Sequence, residues 1–86
     1  MSDLKTQFQE AQTRVKTLKA SPGNNTLLEL YALYKQGNDG DVKGERPGML
    51  KVKDRAKYDA WAKVKGTSRD AAMQKYVDLV NRLLKG

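Results

Sequence analysis

The sequence contains no cysteine and no histidine. The absence of cysteine excludes a disulfide framework and thiolate chemistry. The absence of histidine removes the commonest metal ligand and the commonest general base at neutral pH. Ser2, Ser21 and Ser68 each stand near an expected helix start, where a hydroxyl caps the helix. We therefore expect no enzyme, no catalytic residue, no metal and no cofactor.

Long apolar runs are also missing. No stretch approaches the roughly 18–20 apolar residues that are needed to span a bilayer. The first five residues, Met-Ser-Asp-Leu-Lys, are polar and lack the apolar core of a signal peptide. These two absences lead us to expect a soluble, cytoplasmic protein.

Basic residues exceed acidic ones, 17 Lys and Arg against 10 Asp and Glu, which gives the 86-residue chain a net charge of +7. The length predicts a single domain, residues 1–86, with one modest core. A hydrophobic content of 38% argues against disorder, and the charge favours an anionic partner. Nucleic acid, a membrane surface and a phosphorylated small molecule all satisfy this condition, and composition does not choose among them.

Helical periodicity begins in residues 3–18, where one narrow apolar stripe is formed by Leu4, Phe8, Ala11, Val15 and Leu18. The second helix is predicted to end at Gln36, because residues 37–40 tolerate the positive φ of a helix terminator. Two starts are open for this helix. One is Ser21-Pro22, a cap followed by proline, and the other lies within residues 23–25.

The third helix is predicted from Asp54, as N-cap, to Lys65, with Gly66 as its stop. The fourth starts at Thr67 or Ser68, since Thr67 followed by Asp70 resembles a capping box. Its core stripe consists of Ala72, Tyr76, Leu79, Val80 and Leu83. No segment alternates as a strand does, so the sequence predicts an all-α bundle of four helices with one long connection between the second and the third.

That connection, residues 37–53, has four glycines, one proline and no clear period. A loop of this length in a compact domain is usually functional or packed by its own side chains. Pro47-Gly48 suits the central positions of a type II turn. We expect Met49 and Leu50 to anchor the loop to the core. Glu45 and Arg46 are interpreted as structural, although ligand binding is the alternative.

The end of the second helix carries the first functional signal. Leu28, Tyr31 and Lys35 share one shoulder of the helical wheel, beside a core stripe of Leu27, Leu30, Leu33 and Tyr34. The shoulder is apolar at one end and cationic at the other, which suits a ligand with an apolar tail and an anionic head. The ordinary alternative is that both tyrosines border the core and Lys35 is solvated.

Three further residues are ambiguous on periodicity alone. Lys57 projects from the apolar arc of the third helix and must either extend to solvent or meet an anion. Lys16 lies off the first stripe, as a solvated cation at a helix end would. Tyr76 lies on the core stripe of the fourth helix, and its hydroxyl needs a partner if it is buried.

Taken together, these residues resemble the acyl-CoA-binding protein family over nearly the whole chain, from Phe8 to Leu84. The most specific blocks are Tyr-Ala-Leu-Tyr-Lys-Gln at 31–36, Gly-Asp-Val at 40–42, Glu-Arg-Pro-Gly-Met-Leu at 45–50, Ala-Lys-Tyr-Asp-Ala-Trp at 56–61 and Lys-Gly-Thr-Ser at 65–68. They follow the family's order and spacing, which makes the signal far stronger than any single residue.

The resemblance implies an up-down-down-up four-helix bundle with a bowl-shaped site for acyl-CoA. Tyr31, Lys35 and Lys57 match the residues that hold the 3′-phosphate of CoA. Tyr34 and Lys16 match those around the adenine, and Tyr76 matches the tyrosine beside the pantetheine and thioester. Leu28 and Ala56 match apolar positions along the acyl chain.

Three departures from the family pattern are visible. Tyr58 stands where the family usually has Trp. Residues 36–40, Gln-Gly-Asn-Asp-Gly, are more polar than the family's, and Lys51-Val52-Lys53-Asp54 replaces a stretch often written with Asp, Phe and Gly. No matched head-group residue is lost, so the departures bear on chain-length preference rather than on binding.

The resemblance implies a monomeric, non-catalytic carrier of medium- to long-chain acyl-CoA. From the basic surface we expect transient contact with anionic membranes or with enzymes that use acyl-CoA. A nucleic-acid-binding module is the main rival, but the basic residues form no recognition-helix motif. An enzyme acting on CoA esters is a third hypothesis, and a purely structural bundle is a fourth. We expect no nucleic acid as partner.

Overall fold

The structure is a computed structural model that describes residues 3–85. It contains four helices, α1 (Leu4–Arg14), α2 (Asn24–Asp39), α3 (Val52–Lys63) and α4 (Arg69–Lys85). A single 3₁₀ turn, Val15–Thr17, continues α1. Residues 3–85 form no strand, which confirms the predicted all-α class.

The helix starts agree with the predicted capping in part. Asp3 Oδ1 accepts a hydrogen bond of 2.7 Å from the Thr6 N–H and caps α1. Ser68 Oγ accepts one of 3.1 Å from the Ala71 N–H and caps α4. The capping box at Thr67 is therefore wrong by one residue. The predicted cap at Ser2 lies outside the described residues.

The second helix uses the later of its two predicted starts. Its N-cap is Gly23, and the Gly23 N–H donates to Ser21 Oγ at 3.3 Å. Ser21 therefore stabilises the turn before α2 and does not cap it, so the predicted capping role is wrong.

The second helix also ends later than predicted, at Asp39 rather than Gln36. Gly37 does not terminate the helix. It is buried, and an added Cβ there would lie 3.0 Å from Met73 Cγ and 3.2 Å from Phe8 Cζ. The helix stops instead at Gly40, whose φ of +87° favours glycine.

The third helix begins two residues before the predicted Asp54 N-cap, with Lys51 as its N-cap. Asp54 lies in the first turn, where its carboxylate complements the positive end of the helix macrodipole. The helix ends at Lys63, two residues before the predicted Lys65, and Gly66, with φ +91°, closes the turn that follows it.

Contacts between the helices establish their directions. Phe8 packs on Tyr76 and Arg14 Nη2 donates to Asn81 Oδ1, so α1 and α4 are parallel. Gly37 packs on Met73 and the Asp39 carbonyl accepts from Arg69, so α2 is antiparallel to α4. Helix α3 runs parallel to α2, with Lys57 near Tyr31 and Trp61 near Lys35. The order is the predicted up-down-down-up.

The core joins α1, α2 and α4. Its buried residues are Phe8, Ala11, Leu30, Leu33, Ala72, Tyr76, Val77, Leu79 and Val80. Helix α3 contributes no buried residue and packs on α2 alone. The bundle is thus a three-helix core with a fourth helix held on one side of it.

Gln36 connects α2 to the loops that carry α3. The side chain is 1% exposed. Its Nε2 donates to Asp41 Oδ1 at 2.8 Å and to the Thr67 carbonyl at 2.6 Å, and its Oε1 accepts from Trp61 Nε1 at 3.2 Å. The Gly66 N–H also donates to Asp41 Oδ1, and this bond more than any other lowers the pKa of the Asp41 carboxyl.

The long loop is held by polar contacts rather than by its apolar residues. The Tyr58 hydroxyl donates to the Gly44 carbonyl at 2.9 Å. The Arg46 guanidinium binds the Asp59 carboxylate through two hydrogen bonds, of 2.9 and 2.7 Å. The structural interpretation of Arg46 is therefore confirmed, and the Tyr58 departure has a role in fixing the loop.

Two predictions for the loop are wrong. The Lys51 N–H donates to the Gly48 carbonyl, which places Met49 and Leu50 at the centre of the turn. Gly48 does not adopt the positive φ that a type II turn at Pro47-Gly48 requires. Because residues at a turn's centre point outward, Met49 and Leu50 are 80% and 98% exposed and anchor nothing.

We predict that Gln36→Met lowers the free energy of unfolding by about 2–4 kcal/mol, because it leaves the partly buried Thr67 carbonyl and Trp61 N–H with fewer partners. Urea denaturation followed by circular dichroism measures this loss. Gln74→Met is the matched control, since the exposed Gln74 bonds only to Asp78, and it should change stability by less than about 0.5 kcal/mol. Equal effects of the two substitutions would contradict the role of Gln36.

Candidate ligand-binding site

Two cavities lie side by side along α2. The first, of about 600 Å³, lies between α2 and the end of α1 and is called here the tyrosine cavity. Its wall includes Lys16, Leu27, Tyr31, Tyr34 and Tyr76. It therefore combines aromatic rings with a cation at its edge.

The second cavity, of about 400 Å³, lies between α2 and the start of α3 and is called here the apolar cleft. Its wall includes Leu27, Leu28, Tyr31, Val52, Ala56 and Lys57. Tyr31 and Leu27 belong to both walls. The two cavities consequently meet at one turn of α2, with aromatic surface on one side and aliphatic surface on the other.

The ammonium of Lys57 lies over the face of Tyr31, with Nζ 5.4 Å from the ring centroid. The cation–π contact joins Lys57 of α3 to Tyr31 of α2, and the Lys57 side chain is exposed, so its ammonium stays hydrated. The lysine therefore extends to solvent, and it does so at the junction of the two cavities. A positive charge stands at the point where the aromatic and aliphatic walls join.

The ammonium of Lys35 is already occupied. Its Nζ lies 2.6 Å from Asp39 Oδ2 and 4.9 Å from the centroid of the Trp61 ring. The hydrogen bond with Asp39 raises the pKa of Lys35 and lowers that of Asp39. Lys35 contributes to the wall of neither cavity. The spacing of a lysine and an aspartate four residues apart was the sequence signal for this pair.

Two tyrosines in the wall of the tyrosine cavity, Tyr34 and Tyr76, pack on Phe8, a buried ring that lies outside that wall. Phe8 meets Tyr76 edge to face, with centroids 5.1 Å apart at 82°, and meets Tyr34 at 6.1 Å and 30°. This packing fixes both tyrosines on the buried side of their helices. Tyr34 and Tyr76 are therefore core-edge residues and cavity residues at once.

The Tyr76 side chain is buried, and burial raises the pKa of its phenol. Within residues 3–85, every fully buried side-chain nitrogen or oxygen has a hydrogen-bond partner. The Tyr76 hydroxyl forms no hydrogen bond with a described residue, so it is not sealed in the core. We conclude that this hydroxyl faces the tyrosine cavity.

The eight predicted site residues fall into three groups. Four line the tyrosine cavity: Lys16, Tyr31, Tyr34 and Tyr76. Four line the apolar cleft, with Tyr31 shared: Leu28, Tyr31, Ala56 and Lys57. Lys35 stands outside both. The structure thus brings seven of the eight predicted residues to one continuous surface.

Some lining residues were missed by the sequence reasoning. Leu27 was assigned to the core stripe, but it is 46% exposed because it borders both cavities. Val52 and Lys53 line the cleft, and Lys19 lines the tyrosine cavity. Only the departure of residues 51–54 from the family pattern drew attention to the first two.

The described part of the chain has no cluster of acidic side chains suited to a metal ion. None of the helices within residues 3–85 is long and apolar enough to cross a membrane.

The family model for acyl CoA binding protein matches residues 5–80. This chain belongs to the acyl-CoA-binding protein family. An acyl-CoA-binding protein of Brassica napus is 51% identical over 82 residues, which cover 95% of this chain and 89% of that protein. The acyl-CoA-binding protein homolog 1 of Caenorhabditis elegans is 49% identical over 77 residues, 90% of each chain.

The fold agrees with solved members of the family. The crystal structure of acyl-CoA-binding protein 2 from Oryza sativa superposes with a TM-score of 0.93 at 42% identity. The match covers 96% of this chain and 92% of that one. The family's four-helix fold is therefore present over nearly the whole length.

We predict that Tyr76→Phe leaves the free energy of unfolding within about 0.5 kcal/mol of wild type, because no intramolecular hydrogen bond is lost. Phe8→Ala removes the ring that holds both tyrosines and should cost about 3–5 kcal/mol. Thermal and urea denaturation of the two variants measure the difference. A loss above about 1 kcal/mol for Tyr76→Phe would mean that its hydroxyl has a partner in the core.

Proposed function

We propose that the protein is a non-catalytic carrier that binds medium- to long-chain acyl-CoA esters in one domain spanning residues 1–86. The observation that carries this proposal is the meeting of the tyrosine cavity and the apolar cleft at Tyr31, with the Lys57 ammonium over its ring. An acyl-CoA has an anionic nucleotide head joined to an alkyl tail. A surface that changes from cationic and aromatic to aliphatic within one helical turn complements both ends.

The head occupies the cationic and aromatic side in this proposal. Tyr31, Lys57 and Lys35 hold the 3′-phosphate, each charge-assisted contact contributing roughly 1.5–3 kcal/mol. The adenine lies beside Tyr34 and Lys16, where stacking adds about 1–3 kcal/mol by analogy with bases on aromatic side chains. Tyr76 presents its hydroxyl to the pantetheine and thioester region.

The tail occupies the apolar cleft, between Leu28 of α2 and Ala56 of α3. Burying some fifteen methylenes at about 0.8 kcal/mol each gives an upper bound of about 12 kcal/mol. Ordering of the chain reduces this gain, but half of it still matches the contribution of the head. The head therefore selects for CoA esters, and the tail supplies much of the affinity.

The thioester remains intact in this proposal. The wall of the tyrosine cavity contains tyrosines, lysines, aliphatic residues and Ser21, whose hydroxyl accepts from the Gly23 N–H. Within residues 3–85, no carboxylate or histidine lines the cavity to activate that hydroxyl. The protein then acts as a cytoplasmic monomer that sequesters the ester from water and transfers it to membranes and to enzymes that use acyl-CoA.

We predict tight one-to-one binding of palmitoyl-CoA at physiological salt, with much weaker binding of free CoA and of palmitate. Isothermal titration calorimetry with the three ligands in parallel measures this pattern, because each fragment retains only one half of the complementary surface. Equal affinity for free CoA would show a nucleotide pocket with no tail site. Absence of palmitoyl-CoA binding would overturn the proposed function and favour a nucleic-acid partner, tested next by salt-dependent binding to DNA.

The contact with anionic membranes has a specific surface in this proposal. Met49, Leu50 and Val52 are 80%, 98% and 71% exposed, and Lys51 and Lys53 lie between and beside them. Aliphatic side chains that protrude among lysines fit an anionic bilayer. The headgroups attract the lysines, and the acyl region accommodates the aliphatic side chains. Residues 49–53 are called here the tip. Because Val52 and Lys53 also line the apolar cleft, the tip adjoins the proposed tail site.

We predict that residue 50 enters the bilayer interface when the protein meets anionic vesicles. The chain has no cysteine, so a Leu50→Cys variant carries a single environment-sensitive fluorophore. Its emission should shift to the blue with vesicles of equal parts phosphatidylcholine and phosphatidylglycerol, and not with phosphatidylcholine alone. Lys75→Cys, on the exposed face of α4, is the control. A shift at neither position, or an equal shift at both, would contradict insertion of the tip.

A further inference from the structure

Asp39 is a carboxylate at the edge of the proposed phosphate site, and it holds one of the site's three cationic or phenolic groups. Asp39 lies one turn after Lys35 in α2, and its Oδ2 is 2.6 Å from Lys35 Nζ. Tyr31 lies one turn in the opposite direction. The Lys35 ammonium is thus drawn toward the C-terminal end of α2, away from the turn where Tyr31 and Lys57 meet.

The position of the Lys35 ammonium is defined by its contacts with Asp39 and with the Trp61 ring. Its other neighbour is the Trp61 ring, whose Nε1 donates to Gln36 Oε1 and to the Gly40 carbonyl. Asp39 is oriented in turn by the Asn38 side chain, whose Nδ2 donates to Asp39 Oδ1 at 3.0 Å. A fixed ring on one side and an oriented carboxylate on the other keep the ammonium at this position.

Helix stability does not account for this carboxylate. Asp39 is the last residue of α2, where a negative charge opposes the helix macrodipole. A lysine that precedes its acidic partner by four residues is also the less favourable order for a helical pair. The position belongs to residues 36–40, which are more polar here than in the family pattern. A local cost at such a position is typical of functional residues.

We propose that Asp39 weakens recognition of the 3′-phosphate, because it competes with the phosphate for Lys35 and repels it. This rests on the proposed function. When the phosphate binds, the ammonium must either leave Asp39 or share its N–H groups between two anions. Asp39 is therefore a specificity-determining residue. It reduces the ratio of the affinity for CoA esters to the affinity for esters that lack the 3′-phosphate.

The test is calorimetric titration of palmitoyl-CoA and palmitoyl-3′-dephospho-CoA into wild type and Asp39→Asn. Asparagine keeps the shape of the side chain and its carbonyl, and removes the charge. We expect the variant to bind palmitoyl-CoA about 3- to 10-fold more tightly, a range set by the strength of partly exposed charge pairs. The affinity for the dephospho ester should stay unchanged within about 1.5-fold. This ester has no 3′-phosphate, and an exposed carboxylate that contacts no charged group of a ligand contributes little to its binding.

Two controls separate this effect from net charge and from folding. Glu10→Gln, an exposed residue of α1, makes the same change of charge and should alter neither affinity. In a Lys35→Gln background the gain from Asp39→Asn should shrink, because the competition for Lys35 is then absent and only the direct repulsion by the carboxylate remains. Thermal melting checks that Asp39→Asn, Glu10→Gln, Lys35→Gln and the double variant remain folded.

An unchanged or weaker affinity of Asp39→Asn for palmitoyl-CoA would overturn the proposal while leaving the proposed function standing, provided that wild type binds the ester. An equal gain for the dephospho ester would also overturn it, because the effect would not be specific to the 3′-phosphate. Failure of wild type to bind either ester would overturn the proposed function itself.

Discussion

The hydrogen bonds of Gln36 fix the position of α3, and with it the geometry of the apolar cleft. A buried primary amide is costly unless its donors and acceptor are satisfied. Here the side chain reaches Asp41, Thr67 and Trp61, which lie before α3, after it and on it. Because α3 adds no buried residue to the core, apolar packing alone would specify its position weakly. Directional bonds supply the register that brings Ala56 and Lys57 opposite Leu28 and Tyr31.

This division between an apolar core and a polar attachment explains where a ligand site is available. Helices α1, α2 and α4 bury their side chains against one another, so the centre of their interface is filled and the tyrosine cavity lies at its edge. Between α2 and α3 the protein has polar contacts at one end and an open apolar cleft at the other. An alkyl chain that enters this cleft adds apolar contact where the protein has least of its own. In the proposed binding mode, long-chain esters therefore stabilise the attachment of α3 as they bind.

The sequence was sufficient for the helices and for the core stripe of α4, because a period of 3.6 over many residues is a strong signal. It failed where a single side chain decides. Gly37 looked like a terminator, and its burial against Phe8 and Met73 depends on a tertiary contact that no local pattern contains. Met49 and Leu50 looked like core anchors because they are apolar, yet the hydrogen bond between Gly48 and Lys51 turns them outward. The resemblance to the family supplied the eight predicted site residues, seven of which lie on one surface. It carried no information on the state of Lys35, whose partner Asp39 lies in a departure from the pattern.

The distribution of charge follows from the same contacts. The aspartates that bind N–H groups or cations within the fold include Asp3, Asp39, Asp41 and Asp59. Their pKa values are lowered by those bonds. The contributions of these carboxylates to stability are therefore complete above the ordinary pKa of an aspartate, and they are lost as the pH falls through the lowered values. Among the basic residues, Lys16 and Lys57 remain exposed at the two cavities. The excess charge of +7 thus includes a local positive charge at the cavity walls, because several acidic groups are bonded elsewhere in the fold while Lys16 and Lys57 stay exposed there.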